Sequence, residues 1–299
     1  MTKVAISKNE DITKSIEESL SHLDVENVVK GKLVAVKPND TWATPDDTNG
    51  VTQGDSLKAV IQYIKRFAPK KIIVSGGAGA AETPDVFKYS GMMDVIEEEN
   101  VEFFDHNKKP FQEVELEYAP GKDVAGPQKS VMVNPRILEY ETLIALNQLK
   151  VHATATVTLA LKNIAMSFPA ADYYGHPRGK EYHRHHFFED MHSFIAAMAK
   201  RFPIDLAITV GHPAMVGRGP INGYPVETGI TIASQDPLAA DVVGAYLLGF
   251  NIQAVRHLWE AERVIPGEGD ISKMNFPGMS LEKTVEQFTY MIYGVSLKF

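Results

Sequence analysis

No cysteine occurs in the 299 residues, which removes disulfides, thiolate nucleophiles, zinc–thiolate centres and any iron–sulfur cluster held by cysteines of this chain. A basic excess is also missing. With 30 Lys and Arg against 38 Asp and Glu, the formal net charge is −8, so no broad positive field draws phosphate backbones. The most evident basic pair, Lys70 and Lys71, follows Pro69 and precedes the apolar run Ile72 to Val74, the setting of a solvated strand start. No nucleic-acid partner is expected. No apolar run approaches the roughly 18 residues that span a bilayer, and residues 1–14 mix apolar and charged side chains in place of the apolar core of a signal peptide. A cytoplasmic protein without a membrane partner is therefore expected.

What is present is an ordinary globular composition, 44% hydrophobic and 23% charged, which implies a packed core. β-Branched runs alternate with helical patterns along the chain, the signature of an α/β fold with a largely parallel sheet flanked by helices. Strands are expected at Lys32 to Val36, Ile72 to Val74, Thr142 to Leu146 and Ile204 to Val210. Ala153 to Leu159 reads as a strand, or as a strand passing into a helix. Helices are expected at Ser56 to Phe67, Pro84 to Ile96 and His185 to Arg201. Asp236 followed by Pro237 marks an N-cap and first helical position leading into Leu238 to Leu248. One α/β domain over residues 1–299 accounts for this pattern. Two related βα lobes near 1–140 and 141–299 are the alternative, because KLVAVKPND resembles ETLIALNQLKVH, and KIIVSGGAGA resembles IDLAITVGHPAMVGRGP.

In open parallel sheets, ligands gather outside the carboxyl ends of strands. Lys37-Pro38-Asn39-Asp40 ends the first strand and offers a cation and short polar groups to an anion, although Pro, Asn and Asp also suit an ordinary turn. Ser75-Gly76-Gly77-Ala78-Gly79 follows a strand and precedes a helix, so backbone N–H groups near Gly77 can cradle an anion. This segment is neither a P-loop nor a full GxGxxG, since Glu82 holds the last glycine position. Lys150, His152, Lys162 and Asn163 follow in two further segments. A lysine among apolar neighbours can act as base, nucleophile or oxyanion partner, and a nearby histidine can move protons or bind metal.

Five of the ten histidines, His176, His183, His185, His186 and His192, fall within 17 positions. In a helix beginning near His185, His185 pairs with Glu189 and His186 with Asp190 at i,i+4, and His192 adds to the first face. A divalent metal ion is thereby a candidate cofactor, with His152, His183, His185 and His186 as candidate ligands. Gly211 to Pro220 reads as a glycine-rich loop in which Arg218 can clamp a carboxylate or phosphate.

The order KPN, LKVH, LALKNIAM, a His-rich stretch, GRGPINGYP and IASQDPLAADVVGAYLLG resembles the domain of unknown function 362 family from Lys32 to Gly249. The resemblance implies an α/β domain that in many relatives accompanies a ferredoxin-type iron–sulfur module, which this cysteine-free chain lacks. It points to Lys37, Asn39, Lys150, His152, Lys162, Asn163 and Asp241 as the matching positions. The leading expectation is an enzyme that binds a small anionic molecule, with Lys37, Asn39, Asn163, Gly77 and Arg218 as substrate contacts. His152, Lys162 and Lys150 are its candidate catalytic groups. The alternatives are a non-catalytic metal or anion carrier and an interaction protein using the His-rich segment as an interface; a homodimer is the expected assembly.

Overall fold

The computed structural model of the chain describes residues 1–118, 129–175 and 190–296. Nine strands among them share one sheet: β1 (Ala5–Lys8), β2 (Leu33–Pro38), β3 (Lys71–Gly76), β4 (Glu102–Asp105), β5 (Thr142–His152), β6 (Thr156–Thr158), β7 (Leu206–Arg218), β8 (Asn222–Val226) and β9 (Ile230–Ser234). The order is β1-β9-β7-β5-β2-β3-β4, with β6 pairing β5 and β8 pairing β7. The five strands from β7 to β4 in this order run parallel, and β9 is antiparallel to both β7 and β1. The expected α/β fold with a largely parallel sheet flanked by helices is what forms.

Period-2 alternation explains the layering. Val34 and Val36 of β2, Ile144 and Leu146 of β5, and Leu206 and Ile208 of β7 enter one core, packed by α1 (Ile12–Ser21), α2 (Gly54–Lys65) and the helix Met92–Glu98. Ala35, Leu143, Ala145 and Ala207 enter the other, packed by α5 (Ala160–Ser167), α6 (Met191–Arg201) and α7 (Pro237–Leu247). A parallel sheet covered on both faces needs near-continuous apolar strands, and these strands have them.

Three expected elements differ in detail. The helix anticipated over Pro84 to Ile96 is two helices, α3 (Thr83–Tyr89) and α4 (Met92–Glu98), separated at Gly91, whose φ of +73° suits glycine. The helix anticipated from His185 begins within the described residues at Met191, with Asp190 as its N-cap accepting from Ser193 N; the pairs expected at His185 and His186 lie outside the described residues. The glycine-rich segment Gly211 to Pro220 is no loop through most of its length. It continues β7 to Arg218 and pairs with β8, Arg218 opposite Asn222. Asp236, by contrast, caps α7 as expected, accepting from Ala239 N at 3.0 Å.

The chain runs from β2 through α2 to β3 and on to β4, then returns to the other side of β2 to form β5 and β7. The boundary between β2 and β5 is therefore a topological switch point, where the loops leaving the two strands diverge and open a crevice.

Candidate functional site

A cavity of about 360 Å³ opens at that switch point, beyond the carboxyl ends of β2, β3 and β5. This volume sits at the small end of the range of ligand pockets, roughly 300–1,000 Å³. Asn39 and Asp40 reach it from the end of β2, Gly77 from the end of β3, and His152 from the end of β5. One stripe of α5, Lys162, Asn163, Met166 and Ser167, closes the opposite wall at helical i,i+4 spacing.

The helix α5 is started by another element. Leu159 at its N-cap provides no side-chain acceptor, and the fully buried Asp241 of α7 accepts instead from Ala160 N at 2.8 Å and Leu161 N at 2.9 Å. A carboxylate there satisfies two orphan donors of the first turn. Asp241 thereby sets where Lys162 and Asn163 stand. Burial pushes its carboxyl up to about 7, the two N–H bonds opposing the shift.

Behind the wall lies a closed polar network. Lys37 Nζ donates to Asp40 Oδ1 at 2.7 Å and to the Pro38 carbonyl, while Asp40 Oδ2 accepts from Gly77 N at 2.7 Å. Lys150 Nζ donates to Asn39 Oδ1 at 2.7 Å and to the Gly50 carbonyl. The Asn39 amide, so oriented, donates to Asn163 Oδ1 at 3.4 Å, and Asn163 donates to Asn147 Oδ1 at 2.9 Å. Lys37 and Lys150 are both 0% exposed and stand one layer behind the lining, as posts for Asp40 and Asn39. Burial pushes the Lys150 ammonium well below its usual range; the Lys162 and Lys37 charges act the same way, and Asp40 opposes them.

His152 is held by its own turn. Its Nδ1 accepts from Thr154 N and Ala155 N, both at 3.1 Å. A neutral imidazole has one donor and one acceptor nitrogen, so the hydrogen resides on Nε2. Burial, then the Lys162 and Lys150 charges, push this imidazole down to about 2, which keeps it neutral through the physiological range. Thr158, also on the cavity wall, has a buried Oγ1 with no hydrogen-bond partner among the described residues.

Of the residues singled out in the sequence, His152, Lys162, Asn39, Asn163 and Gly77 line the cavity. Lys37 and Lys150 support it from behind. Arg218 is exposed on the β7–β8 hairpin and outside the lining. His176, His183, His185 and His186 lie outside the described residues. His192 is on α6, stacked on His257 with ring centroids 5.4 Å apart, and its Nδ1 accepts from His257 N at 3.2 Å. Among the described residues no group of three or more His, Asp or Glu is arranged to hold a metal ion.

Sequence reasoning misses Asn147, Thr158, Ser167 and His106, and names Asp40 only as part of the strand-end segment. Ser167 was within reach of it, four residues after Asn163 on the same helical face. His106 carries no local signal. It lies just past β4 and meets Ser167 only in the folded chain, Nε2 to Oγ at 3.0 Å.

Residues 34–246 match the family described as Domain of unknown function (DUF362). A thylakoid-associated protein of Synechocystis sp. is 26% identical over 246 residues, which cover 80% of this chain and 70% of that protein. Among solved structures, a Thermotoga maritima protein is similar with a TM-score of 0.50 at 16% identity, over 81% of this chain and 60% of that one. The lactate racemase apoprotein from Thermoanaerobacterium thermosaccharolyticum is similar with a TM-score of 0.49 at 14% identity, over 81% of this chain and 56% of that one. The chain thus spans less than two thirds of each of these structures, and the likeness to the Thermotoga protein is one of fold. Among the described residues no helix is long and apolar enough to cross a membrane.

Proposed function

The chain belongs to the domain of unknown function 362 family, and from that premise we propose that it is an enzyme whose switch-point cavity binds a small anionic substrate between Lys162 and His152. The observation that carries this reading is the hydrogen bonding of His152. Two backbone N–H groups occupy Nδ1, so the ring offers Nε2–H, a neutral donor on the wall that also bears the Lys162 ammonium. Such a pair suits an oxygen that carries or develops negative charge, because donors fixed before the ligand arrives need no reorganisation.

The same hydrogen bonds favour a donor over a metal ligand at His152. Coordination through Nε2 places the hydrogen on Nδ1, where it would face two N–H donors. Asn39 and Asn163 have their amides committed to the network behind the wall and shape the cavity. Lys150 acts through Asn39 as a positioning residue.

The test is a thermal-shift panel of small carboxylates, phosphate and sulfate on the wild type and on Lys162→Met. A ligand at a hundredfold excess over its Kd contributes about 2.7 kcal/mol, roughly 5 °C in Tm for a chain of this size. The reading expects such a shift for at least one anion and its loss in Lys162→Met. Equal shifts in both proteins contradict it. A shift without turnover of the bound compound assigns the site to a carrier.

A further inference from the structure

A fully buried histidine behind Ser167 stands between the cavity and a separate hollow lined by Tyr140. His106 is 0% exposed. Its Nε2 lies 3.0 Å from Ser167 Oγ and 3.1 Å from the Ser167 carbonyl oxygen, and its Nδ1 lies 2.9 Å from Ser75 Oγ. Ser75 Oγ is in turn 2.8 Å from the hydroxyl of Tyr140. At the near end Ser167 lines the cavity. At the far end Tyr140 is partly exposed in a separate hollow beside Arg201 and Asp205.

The direction of each bond follows from the carbonyl. An amide oxygen can only accept, so the hydrogen of His106 is on Nε2. Nδ1 then accepts from the Ser75 hydroxyl, and Ser75 Oγ accepts from Tyr140. Ser167 Oγ donates to the Gly77 carbonyl at 2.9 Å. The hydrogens of Tyr140, Ser75 and His106 thus point along the chain toward Ser167, whose own hydrogen rests on the Gly77 carbonyl.

We propose that Tyr140, Ser75, His106 and Ser167 form a proton relay between the cavity and the Tyr140 face. Imidazole suits such a role because it can take a proton on one nitrogen and release one from the other. The Ser167 hydroxyl turns from the Gly77 carbonyl to a basic group of a ligand, which takes its hydrogen. Ser167 Oγ takes the hydrogen of His106 Nε2, Nδ1 takes that of Ser75, Ser75 takes that of Tyr140, and the Tyr140 oxygen takes one from water. Each relay residue loses one hydrogen and gains one, His106 losing it at Nε2 and gaining it at Nδ1, so one proton passes from solvent to the ligand and hydroxide remains in bulk water. Burial disfavours the Tyr140 phenolate, so the tyrosine releases its hydrogen in concert with uptake of the next. His106 is left with its hydrogen on Nδ1. The relay resets when, with the cavity open, water there supplies a proton that passes back through the same groups to the Tyr140 face, the contact to the Ser167 carbonyl favouring the hydrogen on Nε2.

The relay serves the substrate cavity proposed above, but its test uses no ligand, so failure of anion binding and failure of the relay are separate results. In protein labelled with ¹⁵N-histidine, the exchange of His106 Nε2–H with water is measured by NMR in the wild type, in Tyr140→Phe and in Ser75→Ala. The Nδ1–H of His257 is the internal reference. It is also fully buried and lies off the relay, and its hydrogen is assigned to Nδ1 because His192 Nδ1, 3.3 Å away, already accepts from His257 N. Exchange at His106 at least about fivefold slower in either variant, with His257 unchanged, is the expected result for a broken chain of coupled hydrogen bonds. An unchanged His106 rate in both variants, or an equal change at His106 and His257, overturns the relay.

Discussion

Lys37 and Asp40 meet at 2.7 Å between Nζ and Oδ1, with side-chain exposures of 0% and 3%. A buried pair of this kind adds little net stability, because desolvation offsets most of the attraction, but removing one partner strands a charge at a cost of about 3–5 kcal/mol. Asp40→Ala is expected to destabilise the protein by that amount in urea unfolding. Adding Lys37→Met to it should restore about half, the rest reflecting the lost acceptor for Gly77 N. Strictly additive costs would show that the two side chains are not coupled.

Asp241 predicts a pH effect whose sign is fixed by burial. Its carboxyl, raised to about 7 in the fold, binds a proton more tightly folded than unfolded, where an aspartate titrates near 3.9. Its contribution to stability is complete below the unfolded value and is lost as pH rises through about 7. Relative to Asp241→Asn, the wild type should therefore lose stability between about pH 4 and pH 7. Parallel stability curves for the two proteins over that window would rule this out.

His212 works in the alkaline direction. A hydrogen bond to Asp55 raises its imidazole to about 9, burial opposes, and Glu227 adds to the rise; the ring nitrogens sit 2.9 Å from Asp55 Oδ2 and 2.7 Å from Glu227 Oε2. This bridge between α2 and the β7–β8 segment is fully present below about pH 6.5 and is lost as pH rises through about 9. The Tm difference between wild type and His212→Gln should be largest near pH 6 and should shrink by pH 10. A constant difference would place the contribution of His212 in packing alone.

Gly77 is glycine for a packing reason. A Cβ there would overlap His106 Nε2 and the rest of its ring edge, so Gly77→Ala should cost about 1–3 kcal/mol by overpacking. Gly77→Ala in a His106→Ala background should cost less, measured by denaturant midpoints. An undiminished cost would locate the strain elsewhere.

Much of the scaffold was legible because its signals are local. Asp236-Pro237 is a start signal that depends only on neighbouring residues, and the β-branched runs of β2, β3 and β7 require burial on both faces wherever they pair. The polar residues at strand ends could be placed near a site by the strand-end rule alone. Their depth could not. Whether Lys37 and Lys150 face a ligand or stand behind Asn39 and Asp40 depends on register between strands more than 100 residues apart, as in the Lys150 to Asn39 bond. The loop expected over Gly211 to Pro220 is a strand for a related reason: glycine and proline signal turns locally, yet β8 pairs with this segment and carries Arg218 along an exposed hairpin. His106 and Ser167 meet across 61 positions, which no periodicity reports.

The central claim, an anion held between Lys162 and His152, is tested most directly by crystals soaked separately in selenate and 4-bromobenzoate, each located by anomalous scattering. The account predicts anion oxygens at about 3 Å from Lys162 Nζ and His152 Nε2, within the switch-point cavity. Anions found only elsewhere, for example beside Arg218, with the cavity holding none, would contradict it.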